Sequence, residues 1–423
     1  MRLLYTLAIA AALPFALARL WWRGRAEPLY REQVGERFGL YGVDRSSPLL
    51  WIHAVSVGEA RAAEPLVHAL GREFADHRIL VTCTTAGGRA TLKQLYGESV
   101  LIAWLPYDLP GTVQRFLEYF RPQLGILMET ELWPNLIAQC ERHGVPLLLA
   151  NARLSAKSAG GYRRWRSLAR PALGSLAAVC AQSEADAARL RDLGARHVEV
   201  TGNLKFDVTL DPALLSAGRA WRAEVGRPVL LLASTRDGEE ELLLAATGGQ
   251  TSRSVPGPLI VVVPRHARRF DEVAKWAQSR RSAQRLPAPS DRVHLGDTMG
   301  EMPFYYAACE LAVIGGSFAP LGGQNLIEAL AAGAPVIVGP HMYNFAEATA
   351  LALAAGAAVQ VADAPGAMRR AAELLDNGAA RTRMSEAGKA LCAAHRGATA
   401  RHLAACRRLL EIGERARSRM RRD

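Results

Sequence analysis

The sequence predicts an α/β protein: two doubly wound domains facing each other across a linker, behind an apolar N-terminal helix. Three observations predict it. Short runs that are apolar throughout alternate with amphipathic stretches, the pattern of parallel strands covered on both faces. A mixed, polar segment, FDVTLDPALLSAGRAWRAEVGR (206–227), interrupts that alternation near the middle. One stretch, Leu3 to Leu20, is apolar enough to cross a bilayer. The length of 423 residues suits two or three domains. Half the residues are hydrophobic (50%) and 22% are charged, which is globular composition and excludes a disordered, collagenous or coiled-coil chain. A single apolar span excludes a polytopic transporter.

The elements follow in order. LLYTLAIAAALPFALARL (3–20) is marginal in length for a span and long for a signal-peptide core. Trp21 and Trp22 beside Arg19, Arg23 and Arg25 read as an interfacial anchor, not a cleavage site. Arginine is denser after the segment than before it, which places the body of the protein in the cytoplasm. A basic connector, Arg23 to Asp44, follows. LLWIHAVSV (49–57), RILVTCTT (78–85), SVLIAWLP (99–106), LGILM (124–128), VPLLLAN (145–151), AAVCAQS (177–183) and HVEVTGN (197–203) read as strands, with helices between them. After the break come PVLLLAS (228–234), GPLIVVVP (257–264), RVHLG (292–296), CELAVIGG (309–316), APVIVG (334–339) and AAVQVA (357–362). The end is helical from about Ala367 and rich in arginine. The expected plan is an anchor (1–22), a first domain (23–205), a linker (206–227), a second domain (228–400) and a basic C-terminal helix (401–423). Ligands of such sheets bind outside the carboxyl ends of the strands, so the cleft between the domains is the expected site.

A net charge of +12 favours anionic partners: nucleic acid, acidic lipid or phosphorylated small molecules. The six cysteines, at 83, 140, 180, 309, 392 and 406, form no C-x-x-C pair and no zinc spacing with histidine, so reduced thiols are expected.

Four motifs sit at strand ends. In HAVSVGEA (53–60), Gly58 permits a tight strand-to-helix turn and puts Glu59 at a helix start, as a general base or simply as a helix-start acid. In METELWPN (128–135), Glu129 and Glu131 follow a buried run, where charge is rare without a partner. They bind hydroxyls, orient a base or take a proton; otherwise they are solvated loop acids. In VVVPRHARRF (261–270), Arg265 and His266 suit a nucleotide phosphate or base, or are surface charge. LAVIGG runs into SFAPLGGQNLIEAL (317–330), a glycine-rich turn and helix start that suits phosphate, with Glu328 placed for ribose hydroxyls. This segment matches neither a P-loop nor a Rossmann fingerprint, and a structural turn is the alternative. Tyr162-Arg163-Arg164-Trp165-Arg166 interleaves aromatics with arginine; beside an anchor, lipid phosphate is the better partner than nucleic acid.

Taken together, HAVSVGE (53–59), METELWPN (128–135), NARLS (151–155), GNLKFD (202–207), VPRH (263–266), GGSF (315–318), GGQNLIEA (322–329) and GPHMYNF (339–345) resemble the lipid A-specific 3-deoxy-D-manno-octulosonic acid (Kdo) transferases, in order, from about residue 20 to 400. The resemblance implies a GT-B glycosyltransferase that moves Kdo from CMP-Kdo to lipid IVA with inversion. The expected location is the cytoplasmic face of the inner membrane, held by a single N-terminal anchor, in lipopolysaccharide core biosynthesis. Glu59 then matches the general base and Glu129 a second essential acid. Arg265, His266, the GGSF turn with Gly316 and Ser317, Asn325 and Glu328 match the CMP side. Gln324 departs from a position where some relatives carry histidine. Arg23, Arg25, Arg163, Arg164 and Arg166 are expected at the acceptor and membrane. No cofactor, metal or nucleic acid is expected; no Asp-x-Asp motif occurs. A UDP-sugar transferase or epimerase, or a membrane-tethered basic binding protein, are the alternative readings.

Overall fold

The computed structural model describes residues 1–42, 48–247 and 257–420, the side chains of 416–420 excepted, so the connector's end at Asp44 and Arg421 and Arg422 lie outside the described residues. The chain forms two compact units, residues 1–207 with 397–423, and 208–396.

The first unit is built on β1 (Leu49–His53), β2 (Arg78–Cys83), β3 (Leu101–Trp104), β4 (Leu124–Met128), β5 (Leu147–Ala152), β6 (Ala178–Ala181) and β7 (Val198–Val200). They form one parallel sheet in the order β3-β2-β1-β4-β5-β6-β7. Because side chains alternate along a strand, β1 feeds two cores. Leu49 and Trp51 pack with Phe116, Leu127 and Leu149 on one face. Leu50 and Ile52 pack with Leu66, Leu70 and Ile126 on the other. A strand buried on both faces has no polar positions to show, hence its continuous apolar run.

The second unit repeats the plan with β8 (Val229–Thr235), β9 (Leu259–Pro264), β10 (Ser279–Arg280), β11 (Val293–Leu295), β12 (Leu311–Ile314), β13 (Val336–Val338) and β14 (Ala358–Gln360). Their order is β10-β11-β9-β8-β12-β13-β14, again parallel. Every strand read from the sequence is present. The two-residue edge strand β10 was not read, being too short to carry a pattern. The strand order reverses between β1 and β4 in one sheet and between β8 and β12 in the other, the crevices where doubly wound sheets hold ligands.

Two boundaries differ from expectation. Segment 206–227 is not a free linker: it holds the helix Pro212–Val225, part of the second unit, with the Trp221 ring 5.8 Å from that of Phe304 and tilted against it. Its helical pattern was masked by scattered arginines. The C-terminal helix starts at Ala398 and belongs to the first unit. Ala398, Ala405, Cys406, Leu409 and Leu410 bury one apolar stripe against Leu148, Cys180 and Leu204. Asp207 caps its start, accepting from the N–H groups of Gly397 (2.8 Å) and Thr399 (2.7 Å). His402 is buried and accepts at Nε2 from Asn151 N–H (2.9 Å), with Nδ1 on Ala398 O (2.7 Å). Burial holds it down to about pH 4, so it is a neutral tie rather than a cation.

The helix Arg2–Arg23 is long and apolar enough to cross a membrane. Leu3, Leu4, Leu7, Phe15, Trp21 and Trp22 are exposed. Thr6 Oγ1 meets the Asn135 amide (3.0 Å), which fixes its first turns to the helix Pro134–Arg142.

Candidate functional site

In the first unit the reversal point is acidic. Ser56 caps the helix Val57–Glu73, and Glu59 lies three residues on, the Ser-x-x-Glu capping box. Glu59 reaches back: its Oε2 accepts from Val55 N–H (2.6 Å) and its Oε1 from the Ser56 hydroxyl (3.4 Å). Its carboxyl is buried, and desolvation pushes its pKa up to about 8 against these hydrogen bonds. Glu131 and Glu129 add to the rise by like-charge repulsion. The two readings of Glu59 in the sequence are therefore not exclusive. The capping box fixes its position, and burial among acids tunes its proton affinity.

Glu129 follows β4 directly with φ +57°, a conformation that costs a non-glycine residue about 1–3 kcal/mol and clusters at functional sites. Its Oε1 accepts from Lys205 Nζ (2.9 Å). Lys205 stands on the short turn Leu204–Phe206 within GNLKFD, whose Leu204 N–H donates to Asn151 Oδ1 (3.0 Å). Asn151 also has positive φ, +52°. Thus METEL, NARLS and GNLKFD meet at one strand edge. Lys205 was missed in the sequence because a lone lysine names no partner until the strand order is known. Glu131 is raised by burial first, with Glu129 adding to the rise.

The second unit presents a different surface at its reversal point. Arg265 follows β9, and its Nε donates to Gln324 Oε1 (3.2 Å). Asn325 Nδ2 donates to Glu328 Oε1 (2.9 Å), while Asn325 Oδ1 accepts from Ile327 N–H (2.9 Å). Burial raises the Glu328 carboxyl; Asn325 and Arg265 oppose the rise. His266 is held below its usual value by burial and then by Arg236, Arg265 and Arg268. Gly316 has φ +66°, and its N–H donates to Glu239 Oε2 (2.5 Å). Gly322 and Gly323, with φ +89° and +75°, let the GGQN turn pack on Met342 and Asn344 of GPHMYNF.

The structure brings Gly316, Arg265, Gln324, Asn325 and Glu328 into one neighbourhood, with His266 beside Arg265. Ser317 stands apart in role. It is fully buried, donates to Ile314 O (2.6 Å) and accepts from Gly339 N–H (2.8 Å), so its hydroxyl joins β12 to β13. Glu239 and Arg236 were not read from the sequence. Glu239 is 1% exposed and accepts from the N–H groups of Arg236 (2.9 Å), Gly316 and Phe318 (2.9 Å), holding the GGSF turn in shape.

Among the expected membrane and acceptor arginines, Arg23 pairs with Glu27 (3.5 Å) and Arg163 with Asp192 (2.9 Å). Arg25, Arg164 and Arg166 are exposed, as is Trp165 at 62%. Among the described residues no group of three or more His, Cys, Asp or Glu side chains is arranged to hold a metal.

These features meet a family. The family model for 3-deoxy-D-manno-octulosonic-acid transferase (kdotransferase) matches residues 32–208. The 3-deoxy-D-manno-octulosonic acid transferase of Bordetella pertussis is 48% identical, over 94% of this chain and 97% of its own. That of Haemophilus influenzae is 36% identical, over 95% of this chain and 97% of its own. The crystal structure of Acinetobacter baumannii MurG shares the fold, at 14% identity and a TM-score of 0.52, over 87% of this chain and 99% of that one. This chain therefore belongs to the 3-deoxy-D-manno-octulosonic acid transferases, glycosyltransferases of lipopolysaccharide biosynthesis with a GT-B fold of two Rossmann-like units.

Proposed function

We propose that the chain transfers Kdo from CMP-Kdo to lipid IVA with inversion, at the cytoplasmic face of the inner membrane. The first unit takes the acceptor and the second takes CMP. In the step, Glu59 accepts the proton of the acceptor hydroxyl as its oxygen bonds to the anomeric carbon of Kdo. The bond from that carbon to the phosphate oxygen breaks, and CMP leaves with the electron pair. The observation that carries the reading is the buried Glu59 carboxyl, tuned to about 8 at the strand reversal point. A base is most effective when its pKa lies near the working pH. Lys205 holds Glu129 in place and offsets its charge beside the base.

On the donor side, Arg265 supplies charge to the phosphate of CMP, and His266 lies beside it. The GGSF turn, Asn325 and Glu328 shape the nucleotide pocket, and Gln324 keeps Arg265 oriented. The arginines Arg23, Arg25, Arg163, Arg164 and Arg166, with Trp21, Trp22 and Trp165, suit an anionic lipid surface, and the helix Arg2–Arg23 supplies the anchor.

The purified chain, incubated with CMP-Kdo and lipid IVA, should release CMP and give a glycolipid heavier by one or more Kdo units in mass spectra. No product from a folded sample, or protection of the second unit by UDP and not by CMP, overturns the reading.

A further inference from the structure

The basic connector holds an unusual cation. Arg37, on the short turn Val34–Phe38, is only 5% exposed. Its guanidinium lies 4.0 Å over the Trp104 ring, and Nη2 donates to Thr84 O (3.3 Å). Its Nε has no partner, and among the described residues it makes no ion pair. The neighbouring carboxylate, Glu36, is engaged elsewhere: it pairs with Arg89 (3.1 Å) and accepts from Trp104 N–H (2.8 Å). Burial, with Arg89 in the same sense, holds Arg37 below its ordinary value. The Cys83 thiol is pushed up to about 12 and the Tyr107 phenol is raised, so neither serves as a counter-ion. A buried charge without a partner costs several kcal/mol, which a ligand anion would offset.

Through the Thr84 carbonyl, Arg37 is joined to a partly exposed surface where two helices start. Thr84 leads into the 11-residue helix Ala86–Tyr96, whose start abuts that of the 17-residue helix Val57–Glu73. The Thr85 hydroxyl donates to Val55 O (3.0 Å). A Cβ at Gly88 would lie 3.0 Å from Val55 O, and one at Gly87 would lie 3.1 Å from Val57 Cγ2. Glycines at both positions therefore let the two helix starts approach. Each first turn leaves N–H groups without intrahelical acceptors, at the positive end of a dipole. Ser56, Gly58, Thr84, Thr85 and Gly87 are partly exposed and Val57 is exposed, so the surface is open.

We infer that residues 55–58 and 84–87, backed by Arg37, form a subsite for a phosphate monoester, which takes a phosphate of the acceptor on the same loop as Glu59. This rests on the transferase reading, but its test does not. Inorganic phosphate is titrated with the full-length chain and its ³¹P line broadening followed. Broadening is expected in the parent chain and should weaken about tenfold in Arg37→Met and in Val57→Glu, which sets a carboxylate on the subsite. Val57→Gln should keep it. If Arg37→Met fails to fold, the surface pair Val57→Glu and Val57→Gln carries the test. Equal broadening in the parent chain and Val57→Glu overturns the subsite, whether or not the chain transfers sugar.

With turnover in hand, inorganic phosphate should compete with the acceptor and not with the donor. Dephosphorylating the glycolipid acceptor should raise its KM in the parent chain and leave it unchanged in Val57→Glu. A transferase whose KM ignores the acceptor's phosphates loses the subsite and keeps the function.

Discussion

The two units share a topology and use their reversal points in opposite ways. The first places carboxylates there: Glu59, Glu129 and Glu131, with Lys205 on Glu129. The second places arginines and a glycine-rich turn, and consumes a carboxylate, Glu239, in fixing that turn. One sheet edge is therefore suited to hold and move a proton. The other is suited to grip a ligand between arginine charge and a rigid turn. The same backbone plan yields both because residues just past a strand are free of the ladder, so their identity changes without altering the sheet.

The contrast is broken most strongly at the proposed base, Glu59. Glu59→Gln should keep much of the capping box yet lower kcat by about 10²–10⁴-fold, measured as CMP release, with the circular dichroism spectrum unchanged. The parent enzyme should show kcat/KM rising with pH through an ionisation near 8, because the base works deprotonated. Stability should run the other way. A carboxyl raised in the folded state binds more protons than in the unfolded state, so between its ordinary value and about 8 stability falls as pH rises. The Tm of the parent should drop across that window more than the Tm of Glu59→Gln.

Next in size is Lys205→Met. With Glu129 uncompensated, the Glu59 ionisation should move up by about one unit, a tenfold loss of active base at neutral pH. An unmoved pH profile would detach Lys205 from the base.

On the other unit, Glu239→Ala leaves three N–H groups without their acceptor, at about 1–3 kcal/mol. The KM for the sugar nucleotide should rise more than kcat falls. Equal loss in both would tie the turn to the chemical step and weaken the contrast. Arg163→Ala should be smallest, changing stability by less than about 1 kcal/mol in a urea melt, because its pair with Asp192 is exposed.

Much of this was legible beforehand. LGILM is β4 to the residue, because a strand buried on both faces writes an unbroken apolar run. HAVSVGE was read less well: the expected strand ran on to Val57, whereas β1 ends at His53 and the helix already starts at Val57 after the Ser56 cap, because Ala54, Val55 and Val57 prolong the apolar run past the sheet. Glu59, Glu129 and Arg265 were visible as charge just past such runs, and Glu328 as an acid in the first turn of the helix after the glycine-rich segment. The roles of Ser317 and Asn325 within the turn were not. Serine and asparagine look the same in sequence whether they face a ligand or join two loops, and only the positions of Ile314, Gly339 and Ile327 show that both have internal partners.

By itself, then, the order of apolar runs and strand-end charges determined the fold class, the strands and the acids, since these depend on local periodicity. Tertiary structure alone decided that Lys205 meets Glu129, that Glu239 shapes the GGSF turn, that Arg37 is buried with no ion pair among the described residues, and that the last helix returns to the first unit. Each of these joins residues distant in sequence. Their energies arise from burial and charge at positions that exist only once the sheets have formed.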